Sequence, residues 1–142
     1  WGSDIHTEYN PYEAGLGFAV RLKKGDFIGR DALARIKAEG PRRRLCCLAF
    51  DDPTVQALGK EPIFTVGGVA SREERVVQHE AVGYVTSAAF GHSVGQSLGY
   101  AYLPAELAIP GTALELYSFG ERHSIKVVVD PVFDPENSRL RC

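Results

Sequence analysis

Residues 82–103 read Val-Gly-Tyr-Val-Thr-Ser-Ala-Ala-Phe-Gly-His-Ser-Val-Gly-Gln-Ser-Leu-Gly-Tyr-Ala-Tyr-Leu. Val82–Phe90 and Ser97–Leu103 flank a turn region bounded by Gly91 and Gly95, which predicts two strands. The same punctuation continues outward in both directions. Upstream, Leu45–Phe50 reads as a strand closed by Asp51-Asp52-Pro53, and Ile63–Val66 as another between Pro62 and Gly67-Gly68. Downstream, Pro110-Gly111 opens a turn before Ala113–Phe119, Gly120-Glu121 turns the chain into Arg122–Val129, and Asp130-Pro131 breaks the ladder. About six short strands with Gly and Pro between them predict a small barrel or sandwich. Closure would hide the unpaired edges that an open sheet exposes. Arg72–Arg75 reads as a solvated loop or hairpin tip, and residues 135–142 as an extended tail.

The first 40 residues follow a different pattern. Tyr9-Asn10-Pro11 is a turn signal. Leu16, Phe18, Val20 and Leu22 alternate with Gly17, Ala19 and Arg21, and period two predicts a strand. A helix follows, with Gly29 as N-cap, Asp31 in the first turn and Leu33 and Ile36 as its buried pair. Gly40 and Pro41 end it. One strand and one helix bury no core alone, so this extension has to lean on something else. The expected class is α+β, mainly β: a barrel of residues 41–142 preceded by a strand–helix extension over residues 1–40.

Composition bounds the function. The 142 residues are 44% apolar and 24% charged, with a formal net charge of −2. That balance offers no electrostatic footprint for nucleic acid or an anionic membrane. No apolar run approaches the roughly 20 residues that span a bilayer, and no charged leader precedes an apolar stretch. Three cysteines, Cys46, Cys47 and Cys142, make no disulfide framework and point to a reducing, cytoplasmic setting. The chain opens on Trp1 and contains no Met, from which we expect a piece of a longer protein.

Site signatures are sparse. Gly15-Leu16-Gly17 lacks the third glycine of a dinucleotide loop and runs into the expected strand where that motif needs a helix. His6, His79, His92 and His123 are scattered without ligand spacing, so no metal site is expected. Cys46 and Cys47 point to opposite faces of a strand and cannot share a metal; one is expected in the core and the other exposed. A thiol enzyme built on either would need a cation such as Arg43 or Arg44 beside it. The carboxylates are isolated, with no pair in environments that would split two pKa values, and no catalytic residue is assigned.

Tyr9-Asn10-Pro11-Tyr12-Glu13-Ala14-Gly15-Leu16-Gly17-Phe18-Ala19-Val20 and Lys24-Gly25-Asp26-Phe27-Ile28-Gly29-Arg30-Asp31-Ala32-Leu33 resemble signatures of the aminomethyltransferase family of the glycine cleavage system. Gly83–Phe90 and Leu98–Leu103 continue the match in order. Trp1-Gly2-Ser3-Asp4 and Asp134–Arg141 look most like the branch formed by the C-terminal regions of sarcosine and dimethylglycine dehydrogenases. The resemblance implies a folate-dependent one-carbon transfer enzyme. Residues 1–40 would be the trailing end of its folate-binding region, and residues 41–142 its C-terminal barrel. The family's catalytic aspartate would lie upstream of Trp1, so this stretch alone is expected to be inactive. Tetrahydrofolate would be held between domains, a small methylated amine would supply the one-carbon unit, and FAD would sit in a separate upstream domain in the dehydrogenase branch. Candidate folate contacts are Phe18, by stacking on a ring or else as a core residue; Arg21 and Lys24, on a glutamate tail; Glu13, in the signature turn; and Arg30, paired with Asp26 or Asp31. Thr86-Ser87 is expected to close a barrel turn. The alternative is a non-catalytic binding or regulatory module of the same fold.

Overall fold

The computed structural model describes residues 1–67 and 81–141. Six strands close into an antiparallel barrel in the order β1-β4-β3-β2-β5-β6. They are β1 Arg43–Phe50, β2 Pro62–Thr65, β3 Gly83–Gly91, β4 Gln96–Pro104, β5 Ala113–Ser118 and β6 Glu121–Val128. Each lies within about two residues of its sequence-based position. Closure gives β1 two partners, with Cys47 facing both Tyr100 of β4 and Val128 of β6. Arg72–Arg75, His79 and Cys142 lie outside the described residues.

Alternation fills the barrel. Cys46, Leu48 and Phe50 of β1, Val85 of β3, Ala101 and Leu103 of β4, Leu114 and Leu116 of β5, and Ile125 and Val127 of β6 form one buried cluster with Ile63 of β2. Gly99 leaves the inner space that the Phe50 ring occupies: a Cβ there would stand 3.3 Å from that ring. The Ser97 hydroxyl donates to the Pro53 carbonyl at 2.8 Å and ties the loop after β1 across one barrel end.

The pairing of β3 with β4 shifts register between Val85 and Ser87. The extra residue, Thr86, places two consecutive side chains on the outer face, because a bulge sets two residues against one. Thr86 and Ser87 therefore do not close a turn; their hydroxyls stand side by side outside the barrel.

The extension departs from expectation. Leu16–Leu22 is not a strand but two 3-10 turns, Gly17–Ala19 and Leu22–Lys24. Backbone bonds from Ala19 to Leu16 (3.0 Å), Val20 to Gly17 (3.2 Å) and Lys24 to Arg21 (3.2 Å) satisfy locally what a ladder would have satisfied. Gly17 packs so closely on Tyr12 that an added Cβ would lie 2.9 Å from the ring, which fixes this coil. A period-two apolar pattern does not encode a partner strand, and none pairs with it among the described residues. The helix is as expected: α1 spans Arg30–Glu39, entered through Gly29 at φ 86° and left through Gly40 at φ 85°. Leu33 and Ile36 are only half-buried, and among the described elements α1 touches only the Leu22–Lys24 turn. The tail is also more structured than an extended run. Asp134 accepts from the Ser138 N–H (2.9 Å), the Ser138 hydroxyl (2.7 Å) and the Arg139 N–H (3.1 Å), winding residues 138–140 into a 3-10 turn. Among the described residues no helix is long and apolar enough to cross a membrane.

Candidate functional site

The chain ahead of the barrel forms an arm on its outer wall. Ala101 and Leu103 point inward, so Tyr102 between them points out; it is nonetheless only 1% exposed. The arm covers it. The Tyr102 hydroxyl donates to the Asp4 carbonyl at 2.7 Å, and the Tyr9 ring stacks on the Tyr102 ring at 3.5 Å and 11°. The Asp4 carboxylate takes both hydroxyls of the bulge, from Thr86 at 2.5 Å and Ser87 at 2.8 Å. The Tyr9 and Tyr84 hydroxyls lie 3.4 Å apart. Farther along, the Leu45 N–H donates to the Glu13 carbonyl at 2.8 Å, joining the arm to the first strand. Burial raises the Tyr9 and Tyr102 phenols above their ordinary range; the Tyr84 hydrogen bond adds to the shift at Tyr9 and the Asp4 charge to that at Tyr102.

Beyond the arm, the Leu22–Lys24 turn and α1 enclose an open groove of about 630 Å³. Val20 and Leu22 supply its apolar lining, and Arg21, Lys23, Lys24 and Lys37 its polar lining. Among the described residues no carboxylate lines it. Its geometry follows from local chemistry. Arg30 donates through Nε to the Leu22 carbonyl at 3.1 Å and pairs with Asp31 at 3.3 Å, which pins the start of the helix to the turn. The Lys24 ammonium stands 4.8 Å from the centre of the Phe27 ring. Lys37 comes from the last turn of α1, where a cation also suits the helix dipole.

Of the five residues singled out from the sequence, the fold brings Arg21 and Lys24 into this groove and sets Arg30 behind it. Phe18 does not line it: it is 80% exposed on the first 3-10 turn and not on a core face with Leu16 and Val20. Glu13 stands apart on the arm, where its carboxylate accepts the Asn10 N–H at 3.1 Å. Sequence reasoning missed Lys23 and Lys37. Lys37 lies seven residues after Arg30, two helical turns along the same face, and that spacing was a usable signal. Asp4, Tyr9, Tyr84 and Tyr102 were missed as a cluster because they meet only through the fold.

Cys46 is in the core as expected, but Cys47 is buried too, only 3% exposed on the opposite face. Burial pushes both thiols up to about 11, and the Asp130 charge adds to the shift at Cys47. A thiol nucleophile needs the reverse shift.

Fold and groove together define a small closed β-barrel domain with an arm on its wall and a cation-lined helical annex. The sequence pattern of one family, described as the Glycine cleavage T-protein C-terminal barrel domain, matches residues 43–134, and the chain belongs to that family. It is 36% identical over 142 residues to the mitochondrial dimethylglycine dehydrogenase of Mus musculus, covering 99% of this chain and 15% of that protein. It is 40% identical over 140 residues to an aminomethyltransferase of Symbiobacterium thermophilum, covering 98% of this chain and 34% of that protein. A crystal structure of glycine cleavage system aminomethyltransferase T from Bartonella henselae shares the fold, with a TM-score of 0.74 and 24% identity over 92% of this chain and 34% of that one. The chain thus spans between 15% and 34% of the length of these relatives.

Proposed function

We propose that this chain is the C-terminal part of a folate-dependent one-carbon transfer enzyme, of the aminomethyltransferase or dimethylglycine and sarcosine dehydrogenase kind. Its role is to help enclose tetrahydrofolate rather than to perform the chemistry alone. In this reading residues 1–40 complete a folate-binding region that begins upstream, and the barrel closes the assembly. The observation that carries it is the groove: among the described residues four cations and no carboxylate surround an apolar strip, which fits the glutamyl carboxylates of a folate tail. A small methylated amine supplies the one-carbon unit at an upstream site, with FAD in a further upstream domain for the dehydrogenase kind. The cysteine usage supports a cytoplasmic location, which fractionation of cells expressing the whole protein would test; the murine relative carries a mitochondrial designation.

The test is calorimetric titration of a stable reduced folate, in monoglutamyl and oligoglutamyl forms, into this chain and into one extended upstream. Clear binding to the longer chain is expected, with little to this one. The double substitution K24E/K37E should weaken the oligoglutamyl form at least tenfold and the monoglutamyl form much less. Binding by neither chain would sink the folate reading and leave a non-catalytic binding module of the same fold.

A further inference from the structure

A second hollow shares no lining residue with the basic groove. Its volume is about 320 Å³, at the small end of ligand pockets. Three pieces of chain build it. The outer face of β1 and β4 provides Cys47, Leu98 and Tyr100; the β3–β4 turn provides His92 and Val94; the segment after β6 provides Asp130 to Phe133. The arm covers the outer side of Tyr102, but Tyr100, two residues earlier on the same face, opens into this hollow.

The polar groups here have one character. The Tyr100 hydroxyl donates to Asp130 Oδ1 at 2.9 Å, so the carboxylate is oriented by a residue fixed in the sheet. Spending its proton on Asp130 leaves the phenol oxygen as an acceptor toward a ligand. The neighbouring thiol of Cys47 keeps its proton at neutral pH and contributes no second charge. Among the described residues no lysine or arginine lines the space. The nearest guanidinium described against a lining residue, that of Arg139, lies over the Phe133 ring at 4.8 Å, so that ring already receives a cation. The His92 ring is held edge-on to Phe90, with centroids 5.0 Å apart at 78°. Val94, Leu98, Pro131 and Val132 supply apolar walls.

We propose that this hollow is a binding site for a small organic ammonium ion, its charge on Asp130 and the Tyr100 oxygen and its hydrocarbon body against Val94, Leu98 and Phe133. A carboxylate placed by a tyrosine, beside apolar walls and with no lysine or arginine among the described lining residues, selects against anions and gives a neutral molecule nothing to pair with the charge. The volume limits the ligand to a single ring or a short chain. The inference does not depend on the folate reading, and failure of one leaves the other standing.

The experiment is a heteronuclear NMR titration of the full 142-residue chain with three isosteric probes: benzylammonium, benzyl alcohol and benzoate. Benzylammonium is expected to shift the amides of Leu98, Tyr100 and Phe133 saturably at millimolar concentration. Benzyl alcohol should bind at least tenfold more weakly, and benzoate not at all. D130N should lose at least tenfold in benzylammonium affinity while keeping the dispersion of the native spectrum, and Y100F should lose affinity to a smaller degree. Equal binding of the neutral probe, undiminished binding in D130N, or no saturable shift at these amides would each overturn the assignment.

Discussion

The carboxylate of Asp4 lies 2.5 Å from the hydroxyl of Thr86, a residue 82 positions farther along the chain. The same oxygen takes the Ser87 hydroxyl at 2.8 Å. Two consecutive residues reach one acceptor only because the bulge in β3 turns both outward. D4A removes the acceptor from both hydroxyls and should cost about 2 kcal/mol in urea denaturation, the range of hydrogen bonds to a charged group. D4N keeps a neutral acceptor and should cost about half as much by the same argument.

The Tyr9–Tyr102 stack holds the same arm. Y9A should cost about 1 kcal/mol beyond the area it exposes. Because either change frees one arm, D4A/Y9A should cost less than the sum of the single changes. Limited proteolysis should cut within residues 1–16 in all three variants while the barrel stays intact. Full additivity would show that the arm does not act as a unit.

G83A tests the tightest backbone approach. A Cβ at Gly83 would lie 2.6 Å from the Tyr102 carbonyl oxygen and 3.1 Å from Leu103 Cδ2. The first is main chain within a paired strand and has no rotamer to yield. Overpacking of this kind costs roughly 1–3 kcal/mol, and the upper end is expected here. G95A strikes nothing and should cost only its left-handed backbone preference, about 1 kcal/mol, at φ 65°. Comparing the two in denaturation separates contact from conformation.

The thiols give a pH dependence with a definite sign. Folded Cys46 and Cys47 titrate near 11, above the ordinary thiol value of 9.0. Between these values the unfolded chain has lost protons that the folded chain retains. Stability from this source is complete below about pH 9 and falls as pH rises through 11. The native chain should lose stability over that window more steeply than C46A/C47A. At pH 7.5 iodoacetamide should leave Cys46 and Cys47 of the folded chain unmodified and alkylate them in urea.

The barrel was legible because its strands announce themselves twice, by alternation and by the Gly, Pro and Asp between them. Leu16–Leu22 misled for a physical reason: alternation records which side chains are apolar, not whether a neighbouring strand exists. With none beside it among the described residues, the segment closed its own hydrogen bonds in 3-10 turns. Arg21 and Lys24 were found because charge is visible in sequence. Lys37 entered the same groove through helical geometry, and the Asp4–Thr86 pair through a bulge that one residue of register creates. The helical spacing of Lys37 from Arg30 was readable in sequence, whereas the Asp4–Thr86 pair depends on the assembled fold and no local pattern carries it.

Barrel closure also sets a schedule. β1 ends at Phe50, yet its two neighbours are β4, beginning at Gln96, and β6, beginning at Glu121. As the chain leaves the ribosome, β1 waits through about a third of these residues for its first partner and until β6 for its second. The arm has the same dependence, since Thr86, Ser87 and Tyr102 must exist before Asp4 and Tyr9 can dock. The arm is therefore made before the strands it docks on, and a chain that stopped ahead of β3 would leave it without its anchor.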